Sequence, residues 1–304
     1  MKRRIFYPGI LNHCYQRTVD RGVLFYTTND YLAYFSQYCM MARKYNIQVL
    51  ALCQMPDHVH DSVIAGRKHD LEQFKQDTNS WYAMRWNKRS GLHGPVFEQS
   101  FGSAPKRSDK KVSSNLVYVG NNPVERRLVR RAEDYRWNYL AYAVSDHPFS
   151  KKLVIREASW PLQKAVKEVK AQFKEGKPLY FNQLERLFAP LDQEEGFQLT
   201  DFIISTYICI DYEAAIKYFG GYENMLVTLH ATTGGEYDIH EVFVGKSDAP
   251  YRQMAACLLE NHYVKDIHEI LSLTTDEKYA LFRLLRSVVD CPGEQIFKFL
   301  HMSP

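Results

Sequence analysis

The sequence predicts an α+β protein, an antiparallel sheet with helices over the first half and a mainly α-helical second half. Apolar alternation rich in β-branched residues marks strands at 12–19, 47–53, 58–64 and 96–103. Apolar residues at helical spacing fall between them, at 31–44, 71–88 and from 109 to about Gly120. The resulting β-α-β-β-α-β-α order suggests an antiparallel sheet with its helices packed on one face. No Gly-rich phosphate loop or dinucleotide fingerprint occurs, which weakens an ATPase or dehydrogenase reading.

Each element carries its own signals. Strand 12–19 brings Arg17 and Arg21 to its end. Thr28-Asn29-Asp30 offers a cap for helix 31–44, whose Tyr31, Phe35, Tyr38 and Ala42 recur on one face. Met55-Pro56-Asp57 is a turn signal joining the second and third strands into a hairpin. Asp70 could cap helix 71–88, with Lys75, Arg85, Lys88 and Arg89 on its surface. Trp81, Tyr82 and Trp86 in that helix read as core before they read as a stacking platform for bases. Gly91 to Gly94 break the helix; after the fourth strand, Lys106-Arg107 precede Ser108-Asp109 as the cap of the third helix.

Charge is divided between the halves. Residues 1–160 hold 25 Lys and Arg against 14 Asp and Glu, a net +11; residues 161–304 hold 14 against 21, a net −7. The first half therefore suits a polyanion, nucleic acid above all, with an ordinary solvated surface as the alternative. Cys14, Cys39, Cys53, Cys209, Cys257 and Cys291 are scattered without a Cys-x-x-Cys pair, so a zinc ribbon is disfavoured and reduced thiols in a cytoplasm are expected. No apolar run reaches membrane-spanning length, and Met1-Lys2-Arg3-Arg4 leads into no signal-peptide core.

Two constellations carry chemistry. His58 and His60 stand two apart on a strand, so their imidazoles project from the same face and could hold a divalent cation. The alternative is a pair of structural histidines satisfied by hydrogen bonds. Tyr118 and Asn122 stand four apart, stacked on one helix face if the helix continues past Gly120 and up to Pro123. A helical tyrosine is ordinarily packing, since a phenol of pKa about 10 is a poor unaided nucleophile. A cation polarising a phosphate would change that.

Four motifs then occur in order: Met55-Pro56-Asp57-His58-Val59-His60, Gly94-Pro95-Val96-Phe97-Glu98-Gln99-Ser100-Phe101, Tyr118-Val119-Gly120-Asn121-Asn122-Pro123-Val124 and Glu133-Asp134-Tyr135-Arg136-Trp137. With His13-Cys14-Tyr15-Gln16-Arg17 as a first strand, the sequence resembles the single-tyrosine HUH transposases of small insertion sequences, including the REP-associated tyrosine transposases. The resemblance spans roughly residues 8–145. It implies a ferredoxin-like (RRM-like) catalytic domain over 1–148, with His58, His60 and Asn122 binding Mg²⁺ or Mn²⁺ and Tyr118 as nucleophile. The implied reaction is cleavage and rejoining of single-stranded or hairpin DNA through a 5′-phosphotyrosine, in a bacterial, nucleoid-associated cytoplasmic protein that could dimerise. Arg17, Arg21, Lys106 and Arg107 are candidates for the DNA backbone, and plain surface charge is the alternative for each. Asp57 stands where Asn is common, and Asp61 where an apolar residue is common. Strand alternation turns both away from the histidines, with Asp57 acting from behind the ligands or shaping the turn.

Residues 149–161 read as a linker whose Trp160 anchors the chain to the catalytic domain, and 162–304 as an accessory domain. Helical or mixed patterns fall at 162–173, 181–188, 197–210 and 212–218, Gly234-Gly235 mark a break, and 251–261, 264–271, 275–289 and 293–301 follow. Short helices with tight turns suit a helix-turn-helix that reads duplex DNA, or equally a packing or dimerisation domain. His230, His240, His262, His268 and His301 show no ligand spacing and read as structural or surface residues. Three functions stay open: a DNA transposase, a DNA-binding protein of this fold without the chemistry, and a hydrolytic metal nuclease that forms no protein adduct.

Overall fold

A computed structural model describes residues 5–98, 100–232 and 247–302. Met1 to Arg4, Gln99, the Gly234-Gly235 break and His240 lie outside them. The fold is α+β. Strands β1 (Leu11–Arg17), β2 (Gln48–Met55), β3 (His58–Ile64) and β4 (Gly102–Lys106) form one antiparallel sheet in the order β2-β3-β1-β4.

Helices α1 (Thr28–Lys44) and α2 (Lys68–Ser90) cover one face of the sheet and α3 (Asp109–Glu125) the other, where the sequence suggested a single face. Strand parity separates them. Cys14, Leu52, Val59 and Val63 join the core with α1 and α2, whereas Leu11, Cys53 and Met55 pack with α3. A register shift between Val49 and Ala51 sets Cys53 opposite His60 and Met55 opposite His58.

Local chemistry accounts for the helix ends. Thr27 caps α1 and Asp30 closes the capping box at N3, one residue earlier than the predicted cap. Arg67 precedes α2 without a side-chain cap, and Asp70 lies in the first turn, bonded to Arg67 at 2.8 Å. Ser108 caps α3 as expected. The fourth strand begins at Gly102 rather than Val96. The segment before it meets the sheet through the Phe97–Thr18 bridge and a hydrogen bond from Gln16 Nε2 to the Glu98 carbonyl at 3.0 Å, and β1 pairs regularly only from Gly102, where a Cβ would fall 2.0 Å from the Tyr15 ring.

The second half is helical: α4 (Trp160–Lys174), α5 (Phe181–Phe188), α6 (Gln193–Tyr207), α7 (Tyr212–Lys217), α8 (Tyr222–Ala231), α9 (Ala249–Glu260), α10 (Glu269–Ser272), α11 (Thr275–Val288) and α12 (Gly293–Leu300). Leu162, Leu184, Ile203, Met254 and Phe299 belong to the same hydrophobic cluster as Leu32, Tyr38 and Phe74, so its helices share the core of the first half. Trp160 does not anchor it: the residue is 71% exposed at the start of α4, beside Lys164. The connection is tied down instead by Asp201, which accepts from the Phe149 amide, Ser150 and Tyr142 and pairs with Arg136. The free edge of β2 is covered at both ends, by Asn138 on Cys53 and by Ile210 on Val49. Among the described residues no helix is long and apolar enough to cross a membrane.

Candidate active site

The α3 face of the sheet gathers the chemistry. Alternation along β1 and β3 turns His13, Tyr15 and Arg17, and His58, His60 and Ser62, to the same side. The register places Tyr15 opposite His60 and Arg17 opposite His58. Across this face lies a stripe of α3 at helical spacing, Asn115, Tyr118 and Asn122. Ser62 Oγ donates to Asn115 Oδ1 at 2.8 Å, and the Tyr118 ring stands edge-on to both His60 and His13, each at 5.4 Å between centroids. The His58 and His60 rings are 4.8 Å apart and nearly perpendicular. Imidazoles from a strand and a phenol from a helix about sixty residues away therefore meet in one place.

That meeting depends on α3 continuing through Asn122 and Pro123, which the structure shows. Proline removes the helical hydrogen bond to the Val119 carbonyl, and neighbours brace this stretch of the helix from outside. Asn138 Nδ2 donates to the Gly120 carbonyl at 2.7 Å, and Asn121 Nδ2 to the Leu229 carbonyl at 2.9 Å. Gly120 serves the same contact, since a Cβ there would stand 2.7 Å from Leu229 and 3.2 Å from Leu140. With its Gly120 side against α8, the helix turns Tyr118 and Asn122 to the sheet. Asn122 Nδ2 donates to the Tyr118 carbonyl at 3.3 Å.

One ring nitrogen of each histidine faces a partner. His58 Nδ1 is 2.5 Å from Asp57 Oδ1, and His60 Nδ1 is 3.1 Å from His13 Nε2. Nε2 is thus the nitrogen each would turn to a cation, the arrangement common to metal-binding histidines held from behind. Among the described residues no three His, Cys, Asp or Glu side chains are grouped to hold a metal ion. Two imidazoles converge here, and Asn122 lies one helical turn beyond Tyr118 on the same face of α3.

The two aspartates beside the histidines behave differently. Asp61 faces away, as alternation requires, and accepts from Tyr38 at 2.8 Å and Lys75 at 2.5 Å in the α1–α2 layer. Lys75 is therefore buried and not on the α2 surface. Asp57 precedes the strand and escapes its parity. Besides His58, it meets Lys298 at 2.9 Å and Arg126 at 3.9 Å. Burial would raise its carboxyl, but His58, Lys298 and Arg126 outweigh burial and hold it well below the usual carboxylate range. Neighbouring Asp248 is pushed up to about 6 by burial and by the Asp57 charge, against the pull of Arg126, His58 and Lys298.

The cluster is enclosed: His13 and His60 are 0% exposed, Asn122 1%, His58 2% and Tyr118 3%. Its surroundings are polar on the β1 and α3 sides and apolar toward Cys53 and Met55. Of the basic candidates, Arg17 is half-buried over the Tyr15 ring, Arg21 is exposed with φ 56°, Lys106 is buried at the end of β4, and Arg107 is exposed over Tyr7.

Sequence reasoning assigned no role to His13, Tyr15, Asn115, Arg126 or Lys298. His13-x-Tyr15 carries the same i, i+2 signal as His58-x-His60 and could have been found. Lys298 gives no signal, being 240 positions from His58.

No protein-family model matches the chain, and no curated protein matches it. Among solved structures, a REP-associated tyrosine transposase bound to a REP hairpin aligns over 47% of this chain and 84% of its own, at 17% identity and a TM-score of 0.41.

Proposed function

We propose that the protein is a single-strand DNA transesterase of the transposase type, with Tyr118 as nucleophile. The observation that carries this reading is the convergence of His58, His60 and Tyr118, with His60 and Tyr118 ring centroids 5.4 Å apart. A divalent cation held by His58 Nε2, His60 Nε2 and Asn122 Oδ1 would supply Lewis-acid polarisation of the scissile phosphate. Its nitrogen donors favour Mn²⁺ over Mg²⁺, which prefers an all-oxygen shell.

The chain's own residues do the rest. Tyr118 Oη forms a bond to phosphorus as the bond from phosphorus to the 3′-oxygen breaks; the phenol loses one proton and the departing 3′-hydroxyl gains one. The 5′-phosphotyrosine conserves the bond energy, so a 3′-hydroxyl can reverse the step and join strands without an external energy source. His13 holds the His60 ring from behind. Arg17, at the rim of this face, and exposed Arg21 and Arg107 would meet the DNA backbone, with affinity falling as salt rises.

The test incubates the full chain with Mn²⁺ and labelled single-stranded oligonucleotides from the palindromic flanks of its own gene. A covalent protein–DNA adduct is expected, lost in Tyr118→Phe while binding survives. Binding without cleavage favours the second reading, a DNA-binding protein of this fold, to which the enclosure of Tyr118 lends support. Cleavage that persists in Tyr118→Phe without an adduct would instead identify a hydrolytic nuclease.

A further inference from the structure

The Asp57 carboxylate joins two parts of the chain that lie 240 positions apart. Oδ1 is 2.5 Å from His58 Nδ1, and Oδ2 accepts from Lys298 Nζ at 2.9 Å. Lys298 stands on α12, far beyond the region that resembles the transposases. Its position is set by more than this contact. The Val23 amide donates to the Lys298 carbonyl at 3.2 Å, and the Leu24 and Phe25 amides donate to the Pro56 carbonyl at 2.7 and 3.0 Å. The segment 23–25 therefore clasps the β2–β3 turn with one set of amides and α12 with another. Tyr26 donates to the Phe299 carbonyl at 2.7 Å, and His301 meets both Asp20 and the Val23 carbonyl. Ile296, Phe299 and Leu300 bury the rest of the helix. The Lys298 side chain is 13% exposed and that of Asp57 6%.

A lysine whose side chain is already packed away from solvent loses little further freedom on pairing, and a carboxylate held at both oxygens has one orientation to offer an imidazole. We propose that α12 belongs to the active centre, with Lys298 acting through Asp57 to hold the His58 ring so that Nε2 faces the bound cation. Lys298 is a positioning residue in this scheme, touching neither cation nor DNA. Arg126, 3.9 Å from the same Oδ2 and 3.4 Å from Asp248, adds a second positive charge on that side. The role of the cation rests on the function proposed above; the holding of the ring does not.

Two readouts on the full chain separate these. Imidazole ¹⁵N–¹H correlation spectra of metal-free protein should show His58 as a single Nδ1–H tautomer, and Lys298→Met should convert it to an exchanging mixture. Calorimetric titration with Mn²⁺ should show the dissociation constant rising about tenfold or more in Lys298→Met, as for other outer partners of ligand histidines. Lys298→Arg should restore both. Should Lys298→Met fail to fold, Asp57→Asn keeps the shape, removes the charge that draws Lys298, and should give the same two changes. Unchanged tautomer and unchanged affinity in a folded variant would overturn the proposal. If Mn²⁺ fails to bind the wild-type chain, the metal reading falls and the tautomer alone decides the role of Lys298.

Discussion

Asp57 and Asp61 flank the histidine pair, yet one supports the site and the other the opposite layer of the fold. Asp61 obeys strand parity and is sealed at 0% exposure against Lys75 and Tyr38. Removing one member of a buried pair strands the other, so Lys75→Met should cost about 3–5 kcal/mol in chemical denaturation. Replacing Asp61 by Leu as well should recover much of that loss, because the stranded charge is the larger part of the cost. Parity failed for Asp57 because that residue belongs to the turn, where backbone direction is set by Pro56 and by the amides of Leu24 and Phe25.

At the scale of elements, α3 decides whether a site exists at all. A helix stopping at Gly120 would leave Asn122 in a loop, and the sequence made that stop plausible by placing Gly120 and Pro123 close together. Packing overrules it, through Asn138 on the Gly120 carbonyl and Leu229 against the missing Cβ. Opposed effects follow for substitution there. Gly120→Ala gains about 1 kcal/mol of helix propensity while its Cβ displaces the ends of two leucines, so stability should stay within about 1 kcal/mol of wild type. Gly120→Val adds more bulk for a smaller gain and should lose about 1–3 kcal/mol, read from urea midpoints at constant m. In both variants the yield of the proposed Tyr118 adduct would report whether α3 has shifted on the sheet.

Over the whole molecule, the halves are joined by charge as well as by core. His268, between α9 and α10, meets Asp30 at the start of α1 at 3.0 Å, and Arg89 at the end of α2 meets Asp30, Glu185 and Asp266. Burial alone would lower the His268 pKa, but the Asp30 charge and hydrogen bonds to Asp266 and Asp30 raise it to about 9. Since this lies above the 6.5 of a free imidazole, the stabilisation is complete below about pH 6.5 and is lost as pH rises through about 9. The part of this lost between pH 7 and pH 10 is roughly 2–3 kcal/mol, so Tm should fall by several degrees over that range. His268→Asn should be less stable at pH 7 and lack that decline; an equal decline in the variant would remove His268 as its source.

Local periodicity and turn chemistry determined the α+β order, three of the four strands near their true places, and most helices of both halves, including 181–188 to the residue. They also placed His58 with His60 and Tyr118 with Asn122, because each pair lies within one element whose repeat fixes direction. The fourth strand's start, the division of helices between two faces and the passage of α3 over Pro123 depended on partners distant in sequence, so only packing settled them. The same holds for His13 behind His60 and for Lys298 behind Asp57. Periodicity says which way a side chain leaves its own element; what it meets there is a property of the folded chain.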